Sequence, residues 1–117
     1  MVLLINTAER NKIELGICKV NNFKKYFKET NRQSEELLLF VDEVLNKENI
    51  HLSELSSIFV CQGPGSYTGT RVGVTVANSL AWSLNIPVLG YPADKLDMEI
   101  VKKHKVKRFE KSVLPLY

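Results

Sequence analysis

At 117 residues, 44% hydrophobic and 25% charged, the chain can bury one core but not two ordinary lobes, and its composition excludes disorder. Sixteen basic against thirteen acidic residues leave a net charge of +3, which admits an acidic or nucleic-acid partner without demanding one. Cys18 and Cys61 sit in apolar runs without Cys-x-x-Cys spacing, so they read as small buried hydrophobes of a reducing compartment. The opening MVLLI lacks the basic flank of a signal peptide, and no run approaches the roughly eighteen apolar residues of a membrane span. A cytoplasmic protein with no membrane segment is expected.

In chain order, Val2 to Ile5 is a continuous apolar run, NTAERNK is a polar turn, and Ile13 to Val20 alternates. That is a hairpin whose first strand is buried on both faces. NFKKYFKE, with aromatic residues among lysines, suits a third strand at a sheet edge. From Gln33 to Lys47 the period changes: Leu37, Leu38, Val41, Val44 and Leu45 recur at three and four residues, opposite Glu35, Glu36, Asp42 and Glu43. This predicts an amphipathic helix. Ser57 to Cys61 is a buried strand, and a second helix, capped by Ser66 or Thr68, runs to about Asn85. Pro87 to Tyr91 gives a fifth strand, Ala93 to His104 a last helix, and VKRFEKSVLPLY a tail. A β-β-β-α-β-α-β order predicts a mixed five-stranded sheet with helices packed on it, the fourth and fifth strands running parallel.

Chemistry collects where such a strand gives way to its helix, here at GPGSYTGTRVG. The loop has no lysine where a nucleotide-triphosphate loop needs one. It also fails the dinucleotide fingerprint, because Thr68 holds the sixth position and Gly69 comes one residue late. Free N–H groups at the helix start, with Arg71 one turn in, make Gly65, Ser66 and Arg71 the candidate anion site. Ser66 has no histidine or carboxylate near it in sequence and reads as a cap. His51 and His104 lack a second ligand at usable spacing, so no metal site is expected. Inside the helix Gly69, Gly73, Ala77 and Ala81 recur every four residues, and each glycine costs about 1 kcal/mol relative to alanine. A close approach must offset that cost. Either the helix lies tight on its own sheet or it meets a helix of another chain. Val72, Val76 and Leu80, with Val74 and Trp82, leave almost no polar face, which favours cover by a second layer or a partner.

GPGSYTGTRVGVTVANSLAWSLNIPVLG resembles the Gly-Pro-Gly-Ser-Phe-Thr-Gly-Leu-Arg-Ile-Gly segment of the TsaB (YeaZ) family. LLINTAERNKIELGI resembles that family's opening hairpin, NRQSEELLLFVDEVL its first helix, and VLPLY its closing Pro-x-Tyr. The resemblance implies a single actin/Hsp70-like (ribonuclease H-like) lobe over residues 1–117, with the family's second lobe absent and residues 94–117 in its place. Asn6 stands where the family usually has Asp, Gln33 where a His is common and Pro92 where Ser is common. An amide cannot supply the charge that holds a hard cation, so Asn6 argues against an ATPase.

The resemblance further implies a non-catalytic subunit. Such a subunit pairs with TsaD, the metal-bearing transferase of tRNA threonylcarbamoyladenosine synthesis, and engages the ATPase TsaE. In that family the first two helices of each partner make the interface, and homodimers use the same surface. The candidate interface residues are then Gln33, Glu36, Leu37 and Phe40 from the first helix and Tyr67, Thr68, Gly69, Arg71, Val72, Gly73 and Val76 from the second. Arg71 is the sharpest of them, since its fork can hold a carboxylate or phosphate in two bonds. No cofactor is expected in the isolated chain, and ATP or ADP only at the seam of the complex. Lys102, Lys103, Lys105, Lys107 and Arg108 are candidate tRNA-facing groups. Two other readings are a small ATP- or phosphate-binding protein and a homodimeric remnant without a pathway role.

Overall fold

The computed structural model describes residues 1–20 and 22–93. Strands β1 (Val2–Asn6), β2 (Lys12–Lys19) and β3 (Asn22–Glu29) open the chain, followed by helix α1 (Gln33–Lys47). Strand β4 (Ser57–Cys61), helix α2 (Tyr67–Leu84) and strand β5 (Val88–Tyr91) complete it, with a 3-10 turn at Leu52–Glu54. The sheet order is β3-β2-β1-β4-β5. β1–β2 and β2–β3 are antiparallel, β1–β4 and β4–β5 parallel.

The mixed sheet, the edge position of β3 and the bounds of α1 all match the sequence-based expectation. The predicted last helix from Ala93 to His104 and the tail lie outside the described residues. So do the candidate tRNA-facing groups Lys102, Lys103, Lys105, Lys107 and Arg108.

Alternation along the strands sorts the core. Leu3 and Ile5, with Ile13, Leu15, Ile17, Ile58 and Val60, face α1 and α2, while Leu4, Cys18, Phe59, Cys61 and Tyr91 form a smaller apolar set on the other face. Both cysteines are buried and neither forms a disulfide, as their apolar runs predict. Each helix ends near an asparagine in the left-handed region, Asn49 and Asn85, both at φ 56°. Asn tolerates that conformation better than most non-glycine residues, so the chain can turn back to the sheet.

One ion cluster ties the end of α1 to the outer hairpin. Tyr26 donates its hydroxyl to the Glu48 carboxylate. Lys24 and Lys19 approach the same carboxylate at 3.4 and 3.7 Å, although its side chain is only 7% exposed. The Tyr26 hydrogen bond and these ammonium groups hold the Glu48 carboxyl below its ordinary value, against the opposing effect of burial.

Candidate functional site

The turn after β4 is built by its glycines. Gly63 adopts φ 94°, a conformation that side chains resist, and the Gly63–Pro64 peptide is cis. Gln62 N donates to Tyr91 O at 2.9 Å and Ala93 N to Gly63 O at 3.1 Å, which extends the β4–β5 contact into the loop. Gly65 lies so close to β1's end that a Cβ there would stand 2.6 Å from Ala8 O. Ser66 N donates to Ala8 O at 2.7 Å, and Ser66 Oγ accepts from Gly69 N at 3.2 Å. Ser66 is therefore the cap of α2, and Thr68 is not.

The glycine stripe faces inward. Gly69, Gly73, Ala77 and Ala81 are all buried. A Cβ on Gly69 would collide with Thr7 O and stand 2.8 Å from Gln33 Oε1, and one on Gly73 would collide with Thr7 Oγ1. Thr7 itself donates its hydroxyl to Gly69 O. The glycines thus let α2 sit on this chain's own β1, and Gly69 and Gly73 are not interface residues.

Further expectations are corrected on α1. The Gln33 amide lies 3.2, 3.0 and 2.7 Å from the carbonyls of Thr7, Glu9 and Lys12, so it brackets the β1–β2 turn to the start of the helix instead of facing a partner. Leu37 is fully buried in the core. Phe40 is buried beneath Lys28 of β3, whose ammonium lies 5.7 Å from the ring centroid, and Glu36 is one turn before it on that same β3 side of the helix. Leu38, assigned to the core by its spacing, is instead 54% exposed.

What remains of the predicted set converges. Tyr67, Thr68, Arg71, Val72 and Val76 line one open groove of about 370 Å³, together with Ser34 and Thr75, which the sequence reading missed. Four-residue spacing from Leu38 back to Ser34, and from Arg71 on to Thr75, is the signal that could have found them. Elsewhere on the two helices large apolar side chains reach the surface, with Leu39 62% and Trp82 80% exposed. Thr68, Arg71 and Thr75 are exposed too, so α2 does have a polar outer side, contrary to the near-apolar helix the pattern suggested. Arg71 lies 5.4 Å over the Tyr67 ring and donates from Nη1 to the Tyr67 hydroxyl at 3.2 Å. Of the predicted anion trio, Gly65 packs on Ala8 and Ser66 has both its N–H and its hydroxyl engaged, which leaves Arg71 with open donors.

The other chemically suggestive groups have local work. Asn6 Oδ1 accepts from Ala8 N at 3.0 Å and closes the turn after β1. Burial pushes the Cys61 thiol up, away from a reactive thiolate, and does the same to the Tyr91 phenol. Among the described residues no cluster of three His, Cys, Asp or Glu could hold a metal ion, and no helix is long and apolar enough to cross a membrane.

Residues 28–93 match the family model described as "TsaD: tRNA N6-adenosine threonylcarbamoyltransferase". Over 48 residues the chain is 54% identical to the tRNA threonylcarbamoyladenosine biosynthesis protein TsaB of Bacillus subtilis (strain 168), covering 41% of this chain and 21% of that one. Over 96 residues it is 34% identical to the protein of the same name from Buchnera aphidicola subsp. Schizaphis graminum, covering 77% of this chain and 43% of the relative. Among solved structures, YeaZ from Pseudomonas aeruginosa superposes with a TM-score of 0.73 at 24% identity, over 78% of this chain and 44% of that one. The chain thus spans less than half the length of these relatives, and the superposition establishes the actin-like, ribonuclease H-like α/β fold.

Proposed function

We propose, from the premise that this chain belongs to the TsaB (YeaZ) family within the one the TsaD model describes, that it is a non-catalytic subunit of tRNA threonylcarbamoyladenosine synthesis. In this reading it pairs with TsaD through the α1–α2 seam, the pair engages TsaE, and adenosine next to the tRNA anticodon is modified by the partner. The isolated chain needs no cofactor.

The observation that carries the reading is the surface left open where the two helices meet. Leu38, one turn beyond the groove residue Ser34, and Trp82, on the same outer row of α2 as Arg71 and Thr75, are exposed along the side of the helices that carries a groove floored by Val72 and Val76, although the glycines of α2 are used up internally. Exposed apolar surface gathered at one seam is the mark of a binding face. The non-catalytic role is supported by what the nucleophile-like groups do: Ser66 caps a helix, and Cys61 is held as a buried thiol.

Co-purification of the chain with TsaD tests the reading, with Leu38→Asp and Val76→Asp as seam variants and Phe27→Asp, on the β3 edge, as the control. A stable complex that both seam variants abolish and the control retains is the expected result. Absence of a wild-type complex, or indifference to both seam variants, would refute it.

A further inference from the structure

α2 spans eighteen residues, Tyr67–Leu84, and Arg71 is the single charged side chain among them. Its position is held from below: the guanidinium rests on the Tyr67 ring and spends one N–H on the Tyr67 hydroxyl. No carboxylate of the described residues pairs with it, as is also true of Arg10, Lys28 and Lys47, which lie outside the groove. The fork is therefore pre-oriented with open donors.

The surroundings say what it is open for. Ser34 and Thr68, both lining the groove, are the second residues of α1 and α2, so the positive ends of two helix dipoles meet there. Val72 and Val76 supply an apolar floor beside the cation. Once a partner covers that floor, the guanidinium leaves water, and an uncompensated buried charge opposes binding strongly unless the partner brings the opposite sign. The outward face of α1 carries Glu35, Asp42 and Glu43, all exposed. A polyanion laid across the seam would meet those carboxylates, whereas a single acidic side chain reaching one arginine would not. The charge pattern thus favours a protein carboxylate over an RNA backbone.

We propose that the partner helix seated on this seam presents an Asp or Glu side chain to Arg71, clamped by the guanidinium fork beside the hydroxyls of Ser34 and Thr68. This rests on the docking reading above and names the chemistry that the seam demands of its partner. Apolar contact supplies the area, and the Arg71–carboxylate pair sets register and orientation.

The test is calorimetric titration of the full chain with TsaD at low and at raised salt, comparing wild type with Arg71→Ala, Arg71→Lys, Arg71→Glu and Val76→Asp. Far-UV circular dichroism checks that each variant is folded. Arg71→Met, which keeps the stem on Tyr67, stands in should the alanine variant fail to fold. Expected are a loss of about tenfold or more for Arg71→Ala, a smaller loss for Arg71→Lys and a larger one for Arg71→Glu. Wild-type binding should weaken more steeply with salt than that of Arg71→Ala. Arg71→Ala binding like wild type while Val76→Asp abolishes the complex overturns the clamp and leaves the docking reading standing. A wild-type chain that does not bind TsaD overturns both. Arg71-dependent binding of inorganic phosphate to the isolated chain, with partner affinity indifferent to Arg71, assigns the fork to a phosphate and overturns the carboxylate. Self-association that depends on Arg71, without any complex with TsaD, assigns it to a second copy and overturns the proposal equally.

Discussion

Replacing Gly73 by alanine should have opposite signs in two backgrounds, and the structure supplies the reason. In the wild type the added Cβ collides with Thr7 Oγ1, while its next neighbours, Thr7 Cβ at 3.5 Å and Ile5 Cγ2 at 3.6 Å, are at ordinary contact. The hydroxyl cannot swing away freely, because it is the buried donor to Gly69 O. Breaking that bond inside the core costs about 1–3 kcal/mol, and shifting the helix instead costs a similar amount. Against this, alanine gains about 1 kcal/mol of helix propensity over glycine. Gly73→Ala alone should therefore destabilise, by up to about 2 kcal/mol.

In a Thr7→Ala background the obstructing oxygen is gone, and the same change should stabilise by up to about 1 kcal/mol, for a coupling of about 1–3 kcal/mol. Urea unfolding of the four proteins, followed by circular dichroism, closes the cycle. A wild-type background in which Gly73→Ala is stabilising by about 1 kcal/mol would refute the reasoning, since that face of the helix would then have to be open.

Two further outcomes follow from the same packing. Because the folded-state pKa of Glu48 is depressed below 4.5, its contribution to stability is present above that value and is lost as pH falls through the folded pKa. Tyr26→Phe removes the largest cause of the depression, so the urea midpoint should fall less steeply between about pH 7 and pH 3 than in the wild type, and an unchanged slope would remove Tyr26 as the cause. The buried Tyr91 hydroxyl has no hydrogen-bond partner among the described residues, so Tyr91→Phe should be neutral or stabilising by up to about 1 kcal/mol in equilibrium unfolding. A clear loss of stability would show that the oxygen contributes in the folded state.

The elements were legible because their signals are local. Alternation marks β2, the three-and-four period marks α1 from Gln33 to Lys47, and the Ser66 hydroxyl three residues before Gly69 marks the cap of α2. The direction of the glycine stripe was not legible. A four-residue repeat shows that Gly69 and Gly73 share a face, but the cost of a helical glycine is offset equally well by a strand of the same chain or by a helix of another. Thr7, whose backbone and hydroxyl decide the matter, is sixty-two positions from Gly69, and no local pattern links them.

The α1 misassignments have a related origin. Leu37 to Phe40 is four apolar residues in a row, which necessarily wraps round the helix. Periodicity could not say that Leu38 and Leu39 project outward while Leu37 and Phe40 turn in. Gln33 carried no one-dimensional sign that its amide would gather three carbonyls of the preceding turn. By contrast, Tyr67, Thr68, Arg71, Val72 and Val76, named together on the strength of the family resemblance, do line one groove.

The inward anchoring of α2 divides one helix into two independent jobs. Positions 69, 73, 77 and 81 answer only to folding, and positions 68, 71, 75, 79 and 82 are exposed. Recognition can therefore drift, or be re-engineered, along the exposed row without endangering the scaffold. Separation-of-function alleles, folded but deaf to a partner, should be easy to obtain there and almost unobtainable on the opposite side of the helix.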